Sequence, residues 1–217
     1  MIRDNQISMI EGPTGSGKST QVGQYALEMG YRKIVYLVPR IPLADNLADR
    51  IEQELGWQLG EEAAADLIGV RHADRSTGYG KTIEVMTPDT FLRVFGELAD
   101  YDDEPVLVLG DEIHEKDFPT ELAVAVTAQV LEQHPKWRLS LMSATLDEQS
   151  IQAAYSEASG SEVPCVSIEG RPFNLEIIER PDLTVTEAYT DYGREVQHQK
   201  TQIFLPGKQE IRDTTDT

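Results

Sequence analysis

The stretch GPTGSGKS, Gly12 to Ser19, satisfies the pattern G-x-x-x-x-G-K-[ST], and its neighbours give that pattern meaning. Before it, QISMIEG (6–12) reads as a short apolar strand. After it, KSTQVGQYALEMG (18–30) carries helical spacing and stops at Gly30. Gly12, Pro13, Thr14, Gly15, Ser16 and Gly17 then form a loop whose glycines let the backbone curl, so that successive N–H groups point inward at phosphate oxygens. The helix N-terminus adds its partial positive charge. Lys18 is placed for the β- and γ-phosphates, and Ser19 offers its hydroxyl to Mg²⁺. The stretch announces a nucleoside triphosphate, but ATPases, GTPases and kinases share it.

Discrimination comes from VLVLGDEIH, residues 106–114. A hydrophobic strand ending in Asp111 delivers a carboxylate to the carboxyl edge of a sheet, beside the metal of a phosphate site. Glu112 follows at once, placed to orient or deprotonate an attacking water. Ser19, Asp111 and Glu112 are therefore the candidate metal-side groups. Two carboxylates and a lysine around one metal suit hydrolysis better than transfer to a small acceptor.

Working outward, apolar runs alternate with helical-period segments, which predicts an α/β domain with a mostly parallel sheet and helices on both faces. The strands are QISMIEG, KIVYLVP (33–39), TIEVMT (82–87), PVLVLGD (105–111) and WRLSLMSAT (137–145). The helices are 18–30, PLADNLADRIEQEL (42–55), DTFLRVFGELA (89–99), PTELAVAVTAQVLEQ (119–133) and DEQSIQAAYSEA (147–158). In the second helix Leu43, Leu47, Ile51 and Leu55 recur at four-residue steps and read as its apolar stripe. Residues 56–81 read as a polar, glycine-containing connection. The domain is expected to span 1–168. Residues 169–217, with two strand-like runs and a possible helix at 184–197, read as a linker and the incomplete start of a second domain.

The 217 residues suffice for one sizeable core, and no run approaches the length of a membrane-spanning helix. The start lacks signal-peptide grammar, and the single cysteine, Cys165, reads as a small buried hydrophobe near a strand. A cytoplasmic location is expected. The net charge of -19 is awkward for a protein that grips nucleic acid. Residues 1–50 are nearly balanced, with 6 Lys/Arg against 5 Asp/Glu, so the acidic excess lies in the remainder.

From residue 5 to about 211 the chain resembles the N-terminal part of a DEAH/DExH-box helicase of superfamily 2. GPTGSGKSTQVGQY is similar to motif I, VPRIPLADNLADRI to motif Ia, MTPDTFLR to motif Ib, DEIH to motif II and MSATLD to motif III. GRPFNLEI resembles the link into the second RecA-like domain, and IFLPGKQEI resembles motif IV. The resemblance implies a RecA-like fold with ATP and Mg²⁺ as cofactors. Lys18 and residues 12–20 would cradle ATP, Asp111 would coordinate the metal, and Glu112 would serve as catalytic base. His114 would link the nucleotide site to the second domain, and Ser143 and Thr145 would couple hydrolysis to strand movement. Arg50 falls where the family stacks an arginine on the base. Arg40, Thr87 and Arg93 fall in or beside the motifs that hold a single strand by its backbone, with RNA ranked ahead of DNA.

Departures accompany the match. Ile41 replaces the second arginine usual in motif Ia, Ile113 replaces alanine in motif II, and Gly110 precedes Asp111. Motifs V and VI, with the arginine fingers, have no counterpart before Thr217, so the chain is expected to bind nucleotide better than it hydrolyses it. The competing expectation is a non-catalytic, nucleotide-dependent interaction module completed by a second RecA-like domain in trans.

Overall fold

The computed structural model describes residues 1–77, 79–113, 117–144, 156, 162–169, 183, 184, 187 and 190. The chain divides into two units, Met1–Pro172 and Phe173–Thr217. In the first, β1 (Ile7–Glu11) leads through the glycine loop into α1 (Lys18–Glu28), followed by β2 (Lys33–Leu37) and α2 (Ile41–Leu59). Then come α3 (Glu61–Leu67), β3 (Ile68–His72), β4 (Arg75–Thr77), β5 (Ile83–Met86) and α4 (Pro88–Val94), which runs into a 3₁₀ helix at Phe95–Tyr101. β6 (Val106–Gly110), α5 (Phe118–Val130), β7 (Arg138–Ser143) and β8 (Cys165–Ser167) complete it.

The sheet runs β4-β3-β5-β2-β6-β7-β1-β8 and is parallel apart from the β3–β4 hairpin. The chain leaves β1 for β2 across a gap that β6 and β7 later fill. The carboxyl ends of β1, β6 and β7 are thereby adjacent although their residues lie far apart in sequence. Side chains alternate between two cores, as a strand covered on both faces requires. Ile34 and Tyr36 enter the core under α1, α2 and α3, whereas Val35 and Leu37 enter the one under α4 and α5.

Three sequence expectations change. The buried face of α2 carries Ala44, Ala48, Ile51 and Leu55, and Leu43 is 40% exposed. Small residues let the helix lie close to its neighbours, a demand that a count of leucines does not reveal. The connection 56–81 contains α3, β3 and β4 rather than loop alone. β3 is IGVRH and is buried throughout, because its polar residues are paired. Arg71 donates to Glu97 at 2.6 and 3.2 Å and to Glu84 at 3.4 Å, Lys33 meets Glu84 at 2.7 Å, and His72 meets Asp45 at 3.2 Å. Third, Cys165 is half-buried within the edge strand β8, packed against the second core. The predicted helix 147–158 and the strand-like runs at 173–179 and 201–207 lie largely or wholly outside the described residues. At the start of the possible helix 184–197, Thr184 and Glu187 exchange the reciprocal hydrogen bonds of a capping box.

α1 is locked to the sheet at one point. Tyr36 is fully buried, and its hydroxyl accepts the Gly23 N–H at 2.7 Å. A Cβ on Gly23 would lie 2.7 Å from the ring's Cε2 and 2.8 Å from its Cζ. In an open helix Gly→Ala stabilises by about 1 kcal/mol. Here Gly23→Ala is expected to destabilise by about 1–3 kcal/mol, because a fully enclosed aromatic must shift. Thermal or urea denaturation reads the sign directly.

Candidate active site

β1 ends at Glu11 and the chain turns sharply. Gly15 and Gly17 have φ of +81° and +84°, values that side-chain-bearing residues rarely adopt, and Gly17 is the N-cap of α1. Ser16 N–H closes a turn on the Pro13 carbonyl at 3.1 Å, and Thr20 Oγ1 donates to the Gly17 carbonyl at 3.3 Å. At the loop's start the Gly12 N–H donates to the Ser143 carbonyl at 3.1 Å. A Cβ on Gly12 would stand 3.0 Å from Ser16 Oγ and 3.2 Å from Ile168 Cβ, so the loop is packed tightly from beneath. Ser16 Oγ is buried without a hydrogen-bond partner.

Lys18 and Asp111 are each only 4% exposed. The Ser19 hydroxyl is hydrogen-bonded to the Asp111 carboxylate, and Lys18 acts on it as a nearby cation. Asp111 Oδ1 also accepts the Glu112 N–H at 3.0 Å, and the Asp111 N–H is spent on the Leu37 carbonyl of β2. Glu112 has φ of +53°, so this residue holds a left-handed backbone without being glycine. Lys18, Ser19, Asp111 and Glu112 are thus brought together beyond the carboxyl ends of β1 and β6, on one edge of the sheet. Ser143 closes β7 in register with Glu11. His114 and Thr145 lie outside the described residues.

The loop opens on a pocket of about 660 Å³ lined by Ser16, Gly17, Lys18 and Gln21 and by apolar Tyr25 and Ile168, a size suited to a small-molecule ligand. Arg50 does not line it. Its Nε donates to Glu54 at 2.6 Å on α2, and its guanidinium lies 5.7 Å from the Trp57 ring centre. Arg40 is the exposed N-cap of α2, directly beyond β2, and Thr87 is the N-cap of α4, directly beyond the neighbouring β5. Thr87 Oγ1 donates to Thr90 Oγ1 at 3.1 Å, and Arg93 Nη2 reaches the same oxygen at 3.0 Å. Arg40 and Thr87 therefore share the sheet edge that carries the glycine loop, Asp111 and Ser143.

The family model described as DEAD/DEAH box helicase matches residues 2–154. The chain belongs to the DEAD/DEAH box helicase family. Over 224 aligned residues it is 30% identical to the probable ATP-dependent RNA helicase DHR2 of Saccharomyces cerevisiae, covering 97% of this chain and 29% of that protein. The crystal structure of the Escherichia coli DEAH/RHA helicase HrpB aligns with a TM-score of 0.72 at 28% identity, over 99% of this chain and 27% of that one. A second structure, the E. coli DExH-box NTPase HrpB, aligns at 0.66 and 27% identity, over 99% and 26%. The fold is that of the helicase RecA-like domain, and the chain spans under a third of the length of these relatives.

In this helicase-family chain, burial pushes the Asp111 carboxyl above its ordinary value near 3.8, and the charge of Glu112 adds to the rise. The Ser19 hydrogen bond, Lys18 and the Glu112 N–H oppose it without cancelling it. The folded carboxyl holds its proton to a higher pH than the unfolded one, so folding stability falls as pH rises through that window. Asp111→Asn removes a charge that burial penalises and keeps the shape. It is expected to melt higher than the parent at pH 7, by about 2–4 °C for each kcal/mol relieved, with the difference closing once pH falls below about 4. The same variant is expected to lose Mg²⁺-dependent nucleotide binding, and the two readouts together separate a functional carboxylate from a structural one.

Two groups around this site had no sequence signal. Tyr36 reads as an ordinary strand residue and Glu54 as solvent-facing helix surface, while Gln21 and Gln24 fall within GPTGSGKSTQVGQY but carry no assigned role there. Each is recognised only when its buried partners are known.

Proposed function

We propose that this chain is the ATP-binding motor domain of a DExH-box nucleic-acid helicase that couples ATP hydrolysis to strand movement in the cytoplasm. Residues 1–168 form the RecA-like domain, and 169–217 are the linker and start of a second one, supplied in full in cis or in trans. The observation that carries the reading is the convergence of Lys18, Ser19, Asp111 and Glu112 below a glycine loop held open by left-handed backbone. Lys18 binds the β- and γ-phosphates, the backbone N–H groups of residues 15–19 cradle them, and Glu112 takes the proton of the attacking water. Arg40, Thr87 and Arg93 hold the strand by its backbone. RNA ranks ahead of DNA because the yeast relative is described as a probable ATP-dependent RNA helicase.

The donor set fits Mg²⁺. Among the described residues no group of three or more His, Cys, Asp and Glu forms a metal cage. A cation that keeps most of its waters and arrives with phosphate oxygens needs only one or two carboxylates and a hydroxyl. Ser19 and Asp111 would hold it, with Glu112 alongside. When bound, the ion supplies neutralisation of charge developing on the phosphate oxygens.

Steady-state ATPase measured with and without single-stranded RNA and DNA tests the reading. Weak Mg²⁺-dependent turnover that rises on adding RNA is the expected result. Tight ATP binding with no strand effect would instead assign a nucleotide-dependent interaction module, and no ATP binding would overturn both.

A further inference from the structure

Glu54 is a buried carboxylate that the chemistry above does not use. It is 9% exposed, and three side chains share it. Oε2 accepts Nε2 of Gln21 and of Gln24, each at 2.8 Å, and Oε1 accepts Nε of Arg50 at 2.6 Å. Gln24 Oε1 in turn accepts Nε2 of Gln58 at 3.2 Å. A buried carboxylate so fully bonded is a fixed point rather than a liability.

What it fixes lies beside the phosphate loop. Gln21 follows Thr20 and lines the same pocket as Ser16, Gly17 and Lys18. Arg50 is half-exposed, and Trp57 covers its guanidinium from another side. Without Glu54, Arg50 and Gln21 would be long, freely rotating side chains whose ordering would weaken any ligand they met. We propose that Glu54 is a positioning residue for nucleotide binding, holding Gln21 at the pocket wall and Arg50 one hydrogen-bonded residue away. The nucleoside end of a nucleoside triphosphate then meets groups already in place. This inference rests on the ATP reading above.

The test is calorimetric titration of the whole 217-residue chain with two Mg²⁺-loaded probes, ATP and inorganic tripolyphosphate, which lacks a nucleoside. Glu54→Gln is expected to weaken ATP about tenfold and tripolyphosphate by less than about twofold. In a background lacking both side chains (Q21A with R50A) the same change should cause less than about twofold further loss, because it acts only through them. Equal weakening of the two probes, no weakening of ATP, or an undiminished loss in that background overturns the inference. If the buried variant fails to fold, Arg50→Ala at its half-exposed site decides: an ATP-selective loss supports the proposal and its absence overturns it. A parent chain that binds neither probe would show that the ATP reading itself had failed.

Discussion

Glu112→Gln is expected to cut ATP turnover about 10²- to 10⁴-fold, the usual weight of a positioned general base, while the Kd for ATP stays within about twofold. The split follows from where the residue stands. On the proposed assignment Lys18 and the loop amides hold phosphate, and Glu112 lies beyond them, just past the end of β6 and next to Asp111. Glutamine keeps the volume and the backbone N–H that donates to Asp111, so only the capacity to take a proton is lost. The backbone supplies a second check. A non-glycine residue at φ +53° costs on the order of 1 kcal/mol, and such strain persists where a site needs a side chain in that direction. Glu112→Gly should therefore raise the melting temperature and still lose turnover. A glycine variant that neither gained stability nor lost activity would remove Glu112 from the chemistry.

Lys18→Ala is expected to raise the Kd for ATP about 10²- to 10⁴-fold, because two charge-assisted hydrogen bonds to phosphate, each of about 1.5–3 kcal/mol, disappear together. Calorimetry should show ADP affected less than ATP, since one of the proposed bonds goes to the γ-phosphate. Lys18 is almost fully enclosed and partly offsets the charge of Asp111. The alanine variant therefore leaves a buried carboxylate without its nearby cation, so a drop in stability should accompany the lost binding. Equal losses for ATP and ADP would mean that the ammonium does not reach the terminal phosphate.

The central strands were legible because burial on both faces writes itself as apolar runs, as in VLVLG of β6. The glycine loop was legible because its residue types are fixed by backbone geometry and phosphate chemistry within eight positions. β3 escaped for the opposite reason. Arg71 and His72 are inside only because Glu84, Glu97 and Asp45 come from other elements to meet them, and no local pattern records a partner 13 to 27 residues away. The same holds for Glu54. Acidic residues on helices normally face water, and the donors that bring this one inside come from α1 and from a turn earlier on α2. The groups proposed to meet a ligand carry local spacing that a motif records, whereas the groups that hold them still are visible only in three dimensions.

The contact between Tyr36 and Gly23 bears on how the sequence can drift over generations. One position sits in a central strand and the other in the first helix, yet they amount to a single inherited choice. A ring at 36 admits nothing larger than hydrogen at 23, and a bulkier residue at 23 demands a small one at 36. A lineage crossing from one solution to the other must pass through either a clash or a hollow beneath the helix that carries Lys18. Homologues should therefore divide into two groups at this pair, with mixed combinations scarce.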